Sequence, residues 1–187
     1  MRAFVAVELP ASVRADLRAL TECLAQAHGD VKWVEEENLH ITMRFLGEIR
    51  EDQRAAIEAL LTRIAGCLAP ITLQLAGIGA FPSVSAPRVV WAGVGQGADV
   101  LTRIAGEFEA GLRPLGFEPE ERKFTAHVTL GRVRSPRNLS RLSSQLKTTA
   151  WTPPPAFPAA HLTLFQSTLS IAGSTYTPLL RAAFTAA

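Results

Sequence analysis

Cysteine, lysine and long apolar runs are all scarce in this 187-residue chain, and each scarcity excludes something. The two cysteines, Cys23 and Cys67, form no C-x-x-C pair, so neither a disulfide framework nor a thiolate metal cluster is encoded. Both are expected to be inert buried thiols in a reducing compartment, the cytoplasm. Opposite charges nearly cancel, 19 basic against 17 acidic residues for a formal net charge of +2, which excludes the electrostatic footprint of a non-specific duplex-DNA binder. A secretory leader is not expected either, because Glu8 and Pro10 cut short the apolar run that follows Arg2. Two long uncharged tracts, 64–87 and 148–180, carry several prolines and alternate apolar with polar residues, so they read as strands and not as membrane spans.

What is present is a core. With 48% hydrophobic and 19% charged residues, the chain has the composition of a globular protein long enough to bury a large core without metal or disulfide. Lysine occurs only at positions 32, 123 and 147, so the other basic residues are arginines. That bias reads equally as coding composition or as a preference for the planar fork that grips phosphate in two places.

Hydrophobic periodicity sets the order of elements. A strand over 2–9 precedes a helix carrying Val13, Leu17, Leu20 and Leu24 at 3.6-residue spacing, closed near Gly29. His28, beside that glycine, reads as a partner of the helix C-terminus. A short extended stretch (31–34), a polar turn (35–38) and an alternating strand (39–46) follow, then a helix over 51–65. Ile71, Leu73 and Leu75 alternate in a strand, a Gly- and Pro-rich loop follows, and 88–94 reads as another strand. A second helix spans 98–112, a strand spans 124–133, and the tail holds a short polar helix at 136–146, a Pro-rich loop and two closing strands. His40-Ile41-Thr42-Met43 and His127-Val128-Thr129-Leu130 recur at an offset of 87 residues, which also carries Leu17 onto Ile104 and Phe4 onto Trp91. A duplicated lobe accounts for this. The expectation is one bilobal domain over 1–187, with α+β architecture and an antiparallel sheet backed by helices in each lobe, around a central cleft.

Side chains two apart in a strand share a face, so each H-x-T offers an imidazole beside a hydroxyl. Converging across a pseudo-twofold axis, the pairs give two histidines and two hydroxyl donors around one small anion. Metal-free cleavage of a phosphodiester needs this set: a neutral imidazole takes a proton from the nucleophile and a protonated one gives a proton to the leaving oxygen. A third H-x-T at His161-Leu162-Thr163 lies outside the repeat and reads as a structural strand residue. Three histidines also permit a zinc site, although threonine is a poor zinc ligand. A phosphate-binding sensor without turnover is the remaining alternative.

The stretches MRAFVAVELP, Val31 to Val34, Asn38 to Glu48, Phe81-Pro82, Pro87 to Val94, Arg122 to Arg134 and Leu164 to Tyr176 together resemble the two-histidine phosphodiesterase superfamily. Within it they resemble the RNA 2′,3′-cyclic phosphodiesterases long called 2′-5′ RNA ligases. The resemblance implies that His40 and His127 are acid and base, that Thr42 and Thr129 bind phosphate oxygens, and that no metal or cofactor takes part. It implies a substrate that is RNA or a nucleotide ending in a 2′,3′-cyclic phosphate, opened to a 2′-phosphate, with ATP-independent ligation as the reverse reaction. Which histidine is base stays open, as does the cellular RNA. Ala126 stands where the family pattern has proline. Arg122 and Arg132 match family arginines and Arg44 shares the face of His40 by alternation, so all three are candidates for substrate binding. Arg132, on the opposite parity to His127, reads alternatively as a solvated or lobe-bridging side chain, and Phe45 and Phe124 are expected to fill the core. A monomer with no membrane partner is expected.

Overall fold

The computed structural model describes residues 1–171 and 173–186. The first repeat runs β1 (Arg2–Glu8), α1 (Ala11–Ala25), β2 (Val31–Trp33), a 3-10 turn at Glu36–Asn38, β3 (His40–Glu48) and α2 (Glu51–Gly66). β4 (Ile71–Leu73) and β5 (Leu75–Ser83) then lead into the second repeat, which runs β6 (Ala86–Val94), α3 (Ala98–Leu112), β7 (His127–Val133) and α4 (Leu139–Thr148). β8 (Phe157–Ala159), β9 (His161–Ser170) and β10 (Gly173–Ala183) close the chain. The architecture is α+β. Eight strands form one antiparallel sheet in the order β10-β9-β1-β3-β7-β6-β5, with β2 beside β7, while β4 and β8 pair separately.

The helices supply the apolar stripes that the period predicted, and these cover one side of the sheet. Leu17, Ile57, Leu61, Leu101, Ile104, Phe108 and Leu142 pack with Val5, Val7, Ile41, Val128 and Leu130 in one continuous core. Each such fully buried side chain stabilises the fold by about 1.5–3 kcal/mol through apolar area removed from water. The opposite side carries no helix. A small aromatic cluster there, Phe4, Ala6 and Phe165 with Tyr176 against it, floors the open cleft.

Three expectations are corrected. Residues 71–75 are not one strand: β4 pairs with β8 and β5 with β6, in different sheets. The Gly- and Pro-rich segment is no loop but the β5–β6 hairpin. Pro82 is tolerated because β5 lies at the sheet edge, where a missing N–H breaks no ladder bond. Cys23 and Cys67 are exposed, each sitting off the buried stripe of its helix. No helix among the described residues is long and apolar enough to cross a membrane.

Candidate active site

The two lobes meet where β3 touches β7, at the single ladder position Ile41 opposite Val128. Both of those side chains are fully buried toward the helices, so their neighbours in each strand point into the cleft. One step to either side, the register opposes His40 to Thr129 and Thr42 to His127. The four side chains therefore stand at the corners of a rectangle with the histidines on a diagonal.

Backbone carbonyls orient both rings in the same way. His40 Nδ1 donates to the Asn38 carbonyl at 2.7 Å, and His127 Nδ1 donates to the Thr125 carbonyl at 2.6 Å, a contact that recurs with the repeat. A carbonyl only accepts, so the proton of each neutral imidazole sits on Nδ1 and Nε2 carries the free lone pair. The Thr42 hydroxyl lies 2.8 Å from His40 Nε2 and donates to it in that tautomer. Rings meet both histidines edge-on: Tyr176 meets His40 at 5.5 Å and Phe81 meets His127 at 5.1 Å between ring centres. Burial is the main force holding each imidazole below the ordinary histidine pKa. Positive charge on Arg132 acts on both in the same direction, and charge on His127 opposes protonation of His40. The carbonyl bonds pull the other way without overcoming burial.

Strict alternation fails beyond the threonines, because each strand carries a bulge at the same place in the repeat. Thr42 lies opposite Ala6 but Arg44 lies opposite Val5, so Met43 is the extra residue. Thr129 lies opposite Trp91 but Gly131 lies opposite Val90, so Leu130 is its counterpart. The bulge turns Arg44 away from His40, contrary to the alternation. Its guanidinium binds Glu109 at 2.8 Å, Glu120 at 3.2 Å and the Glu118 carbonyl at 2.7 Å. The same device brings Arg132 into the cleft, against its simple parity, and likewise Phe45, which is 56% exposed and not in the core. Phe124 packs against the core as expected. Arg122 lies exposed in the loop before β7. The register also sets Ala6 at the place of Trp91, an offset of 85 in that strand, so the match of Phe4 to Trp91 is out by two residues.

The third H-x-T has a structural role. The fully buried Thr163 hydroxyl donates to Glu8 at 2.8 Å, and Arg181 grips the same carboxylate at 2.8 and 3.0 Å. Arg181 is the first cause of the lowered Glu8 pKa. His161 is exposed at the start of β9 and does not join the other two histidines. Among the described residues no three His, Cys, Asp or Glu side chains stand close enough to hold a metal ion. The aromatic floor made by Phe4, Phe165 and Tyr176 was not found from sequence, because Phe4 reaches the β9–β10 hairpin only through the long-range pairing of β1 with β9. The site is an open saddle. Shallow hollows lie elsewhere, one beside Ile71, Asp99 and Arg103 and another beside Pro10 and Pro158.

Comparison with known proteins bears on the family and the fold. Residues 7–91 and 93–176 each match the family model described as LigT like phosphoesterase. An RNA 2′,3′-cyclic phosphodiesterase of Aeropyrum pernix is 44% identical over 131 residues, 70% of this chain and 73% of its own. A crystal structure from Thermus thermophilus superposes with a TM-score of 0.80 at 31% identity, over 99% of this chain and 98% of that one. Escherichia coli LigT complexed with 3′-AMP superposes with a TM-score of 0.77 at 27% identity, over 99% and 98% of the two chains.

Proposed function

The chain belongs to the LigT like phosphoesterase family, and from that premise we propose that it is a metal-independent RNA 2′,3′-cyclic phosphodiesterase leaving a 2′-phosphate. The observation that carries the reading is the diagonal of two imidazoles, each tied through Nδ1 to a backbone carbonyl, which leaves Nε2 to exchange a proton, that of His40 once the Thr42 hydroxyl turns to the phosphate. Two features of the relatives support the substrate class: the Aeropyrum pernix protein is named for 2′,3′-cyclic RNA ends, and the LigT structure holds a nucleotide.

The chemistry follows from the tautomer. One neutral imidazole takes a proton from water through Nε2 as that oxygen attacks phosphorus. The other, protonated, delivers its Nε2 proton to the departing 3′ oxygen, so the P–O3′ bond breaks and a 2′-phosphate and a 3′-hydroxyl remain. Thr42 and Thr129, on the other diagonal, donate to the two non-bridging oxygens as negative charge builds on them, and Arg132 adds its positive field. Both imidazoles favour the neutral form in the free protein. Arrival of the phosphodiester anion raises their pKa and allows one to hold the acid proton. Run backwards, the same groups join a cyclic end to a 5′-hydroxyl as a 2′-5′ linkage without ATP. We place the activity in the cytoplasm, performed by a monomer.

Purified protein in excess EDTA, given a short RNA ending in a 2′,3′-cyclic phosphate, tests this. A 2′-phosphate product is expected, with the rate lowered at least about a hundredfold in both His40→Ala and His127→Ala. Binding without turnover, or activity lost to the chelator, overturns the reading.

A further inference from the structure

The repeat makes the acid–base centre twofold, but the rims of the cleft differ in charge. After the bulges, the lobe built on β7 presents Arg132 where the lobe built on β3 presents Phe45. β2 continues the line of β3 along β7 and sets Lys32 directly across from Arg132. Residues paired in this way share a face. The flanking Val31 and Trp33 mark the other face, packing into the core, where a Cβ at Gly131 would meet both within 2.6 Å. Lys32 and Arg132 therefore both project into the cleft.

Two like charges opposed across an antiparallel ladder repel each other. Arg44, Arg54 and Arg181 each hold a carboxylate, whereas among the described residues no ion pair involves Lys32 or Arg132, and both are exposed. The field of Arg132 reaches both histidines, and Lys32 faces Arg132 from the neighbouring strand β2. At the opposite end Phe45 stands at the place that Arg132 holds in the other lobe. The cleft thus runs from a basic end to an aromatic end.

We propose that Lys32 and Arg132 form a second phosphate subsite, which takes the internucleotide phosphate one residue before the cyclic end and makes the protein select an RNA chain over a cyclic mononucleotide. This rests on the function proposed above. A phosphodiester between the two side chains relieves their repulsion and accepts from both, a use the pair has in no contact within the protein. The single basic rim also fixes the direction in which the chain enters, since Phe45 offers no charge to a phosphate.

The test compares kcat/KM on three substrates: a 2′,3′-cyclic mononucleotide, a dinucleotide with the same cyclic end, and that dinucleotide with a neutral methylphosphonate linkage. The dinucleotide is expected to exceed the mononucleotide about tenfold or more, the scale of one charge-assisted contact. The methylphosphonate is expected to fall to the mononucleotide's level. Lys32→Ala collapses the dinucleotide-to-mononucleotide ratio to within about threefold of one, and Lys32→Arg restores it. A ratio unchanged in Lys32→Ala, or a methylphosphonate turned over as fast as the phosphodiester, overturns the subsite. Wild-type protein that opens both natural substrates at equal rates overturns the subsite alone. Protein that opens neither overturns the catalytic reading, and the subsite with it.

Discussion

At the scale of single residues, the two threonines do different work from the two histidines and should fail differently. A threonine donates to a charged oxygen and carries no proton through the reaction, so Thr42→Val or Thr129→Val is expected to slow kcat by about ten- to a thousandfold, the range for one lost oxyanion donor. The bell-shaped pH dependence should survive in both variants, because acid and base remain. Stopped assays across pH on each variant check this; a lost limb would assign a proton-transfer role to the hydroxyl. Arg44 belongs elsewhere. Its half-buried pairing with Glu109 and Glu120 anchors the loop that leads to His127. Arg44→Ala leaves Glu109 with an uncompensated charge and is expected to destabilise the fold by about 1–3 kcal/mol, measured by denaturant titration.

At the scale of the elements, the bulges at Met43 and Leu130 decide which side chains share the cleft. The H-x-T pairs were legible because i and i+2 precede each bulge, and strand alternation held that far. Beyond it, alternation assigned Arg44 inward and Arg132 outward, and both assignments reverse, since one extra residue flips every later side chain to the other face. Deleting Met43 removes the extra residue and is expected to leave Arg44 toward the helices and Phe45 in the cleft, because Arg44 then follows Thr42 directly in strict alternation. Phe45 is the most accessible aromatic beside the histidines. Phe45 is therefore expected to stay open to solvent labelling in the deletion variant, and its protection would contradict the bulge at Met43. Helices were easier to read than strands because their stripes are long: the buried set of α1 is the four residues the period selected. The β4–β5 break and the β5–β6 hairpin were not legible. Each depends on a partner strand far along the chain, and no local period reports it.

At the scale of the whole molecule, the site exists only where the two lobes join, through one ladder position between β3 and β7. The repeat announced two lobes, and the single continuous sheet that unites them explains why the histidines face each other without a hinge. Holding two neutral imidazoles in a partly buried cleft also links stability to pH. Their folded pKa values lie below the unfolded value of about 6.5, so the unfolded chain binds protons more readily. The penalty is absent well above pH 6.5, grows as pH falls through that value, and is complete below the folded values. Replacing both histidines by asparagine should therefore reduce the fall in melting temperature between about pH 7.5 and about pH 5, as thermal unfolding would show.

The pH dependence of kcat/KM on a cyclic-ended RNA, measured in EDTA for the wild type, His40→Ala and His127→Ala, tests the two-histidine mechanism most directly. A bell lying on the acid side of about pH 6.5 is predicted for the wild type, with each variant losing one limb along with most of its rate. A flat profile, or one whose two limbs both persist in either variant, would contradict it.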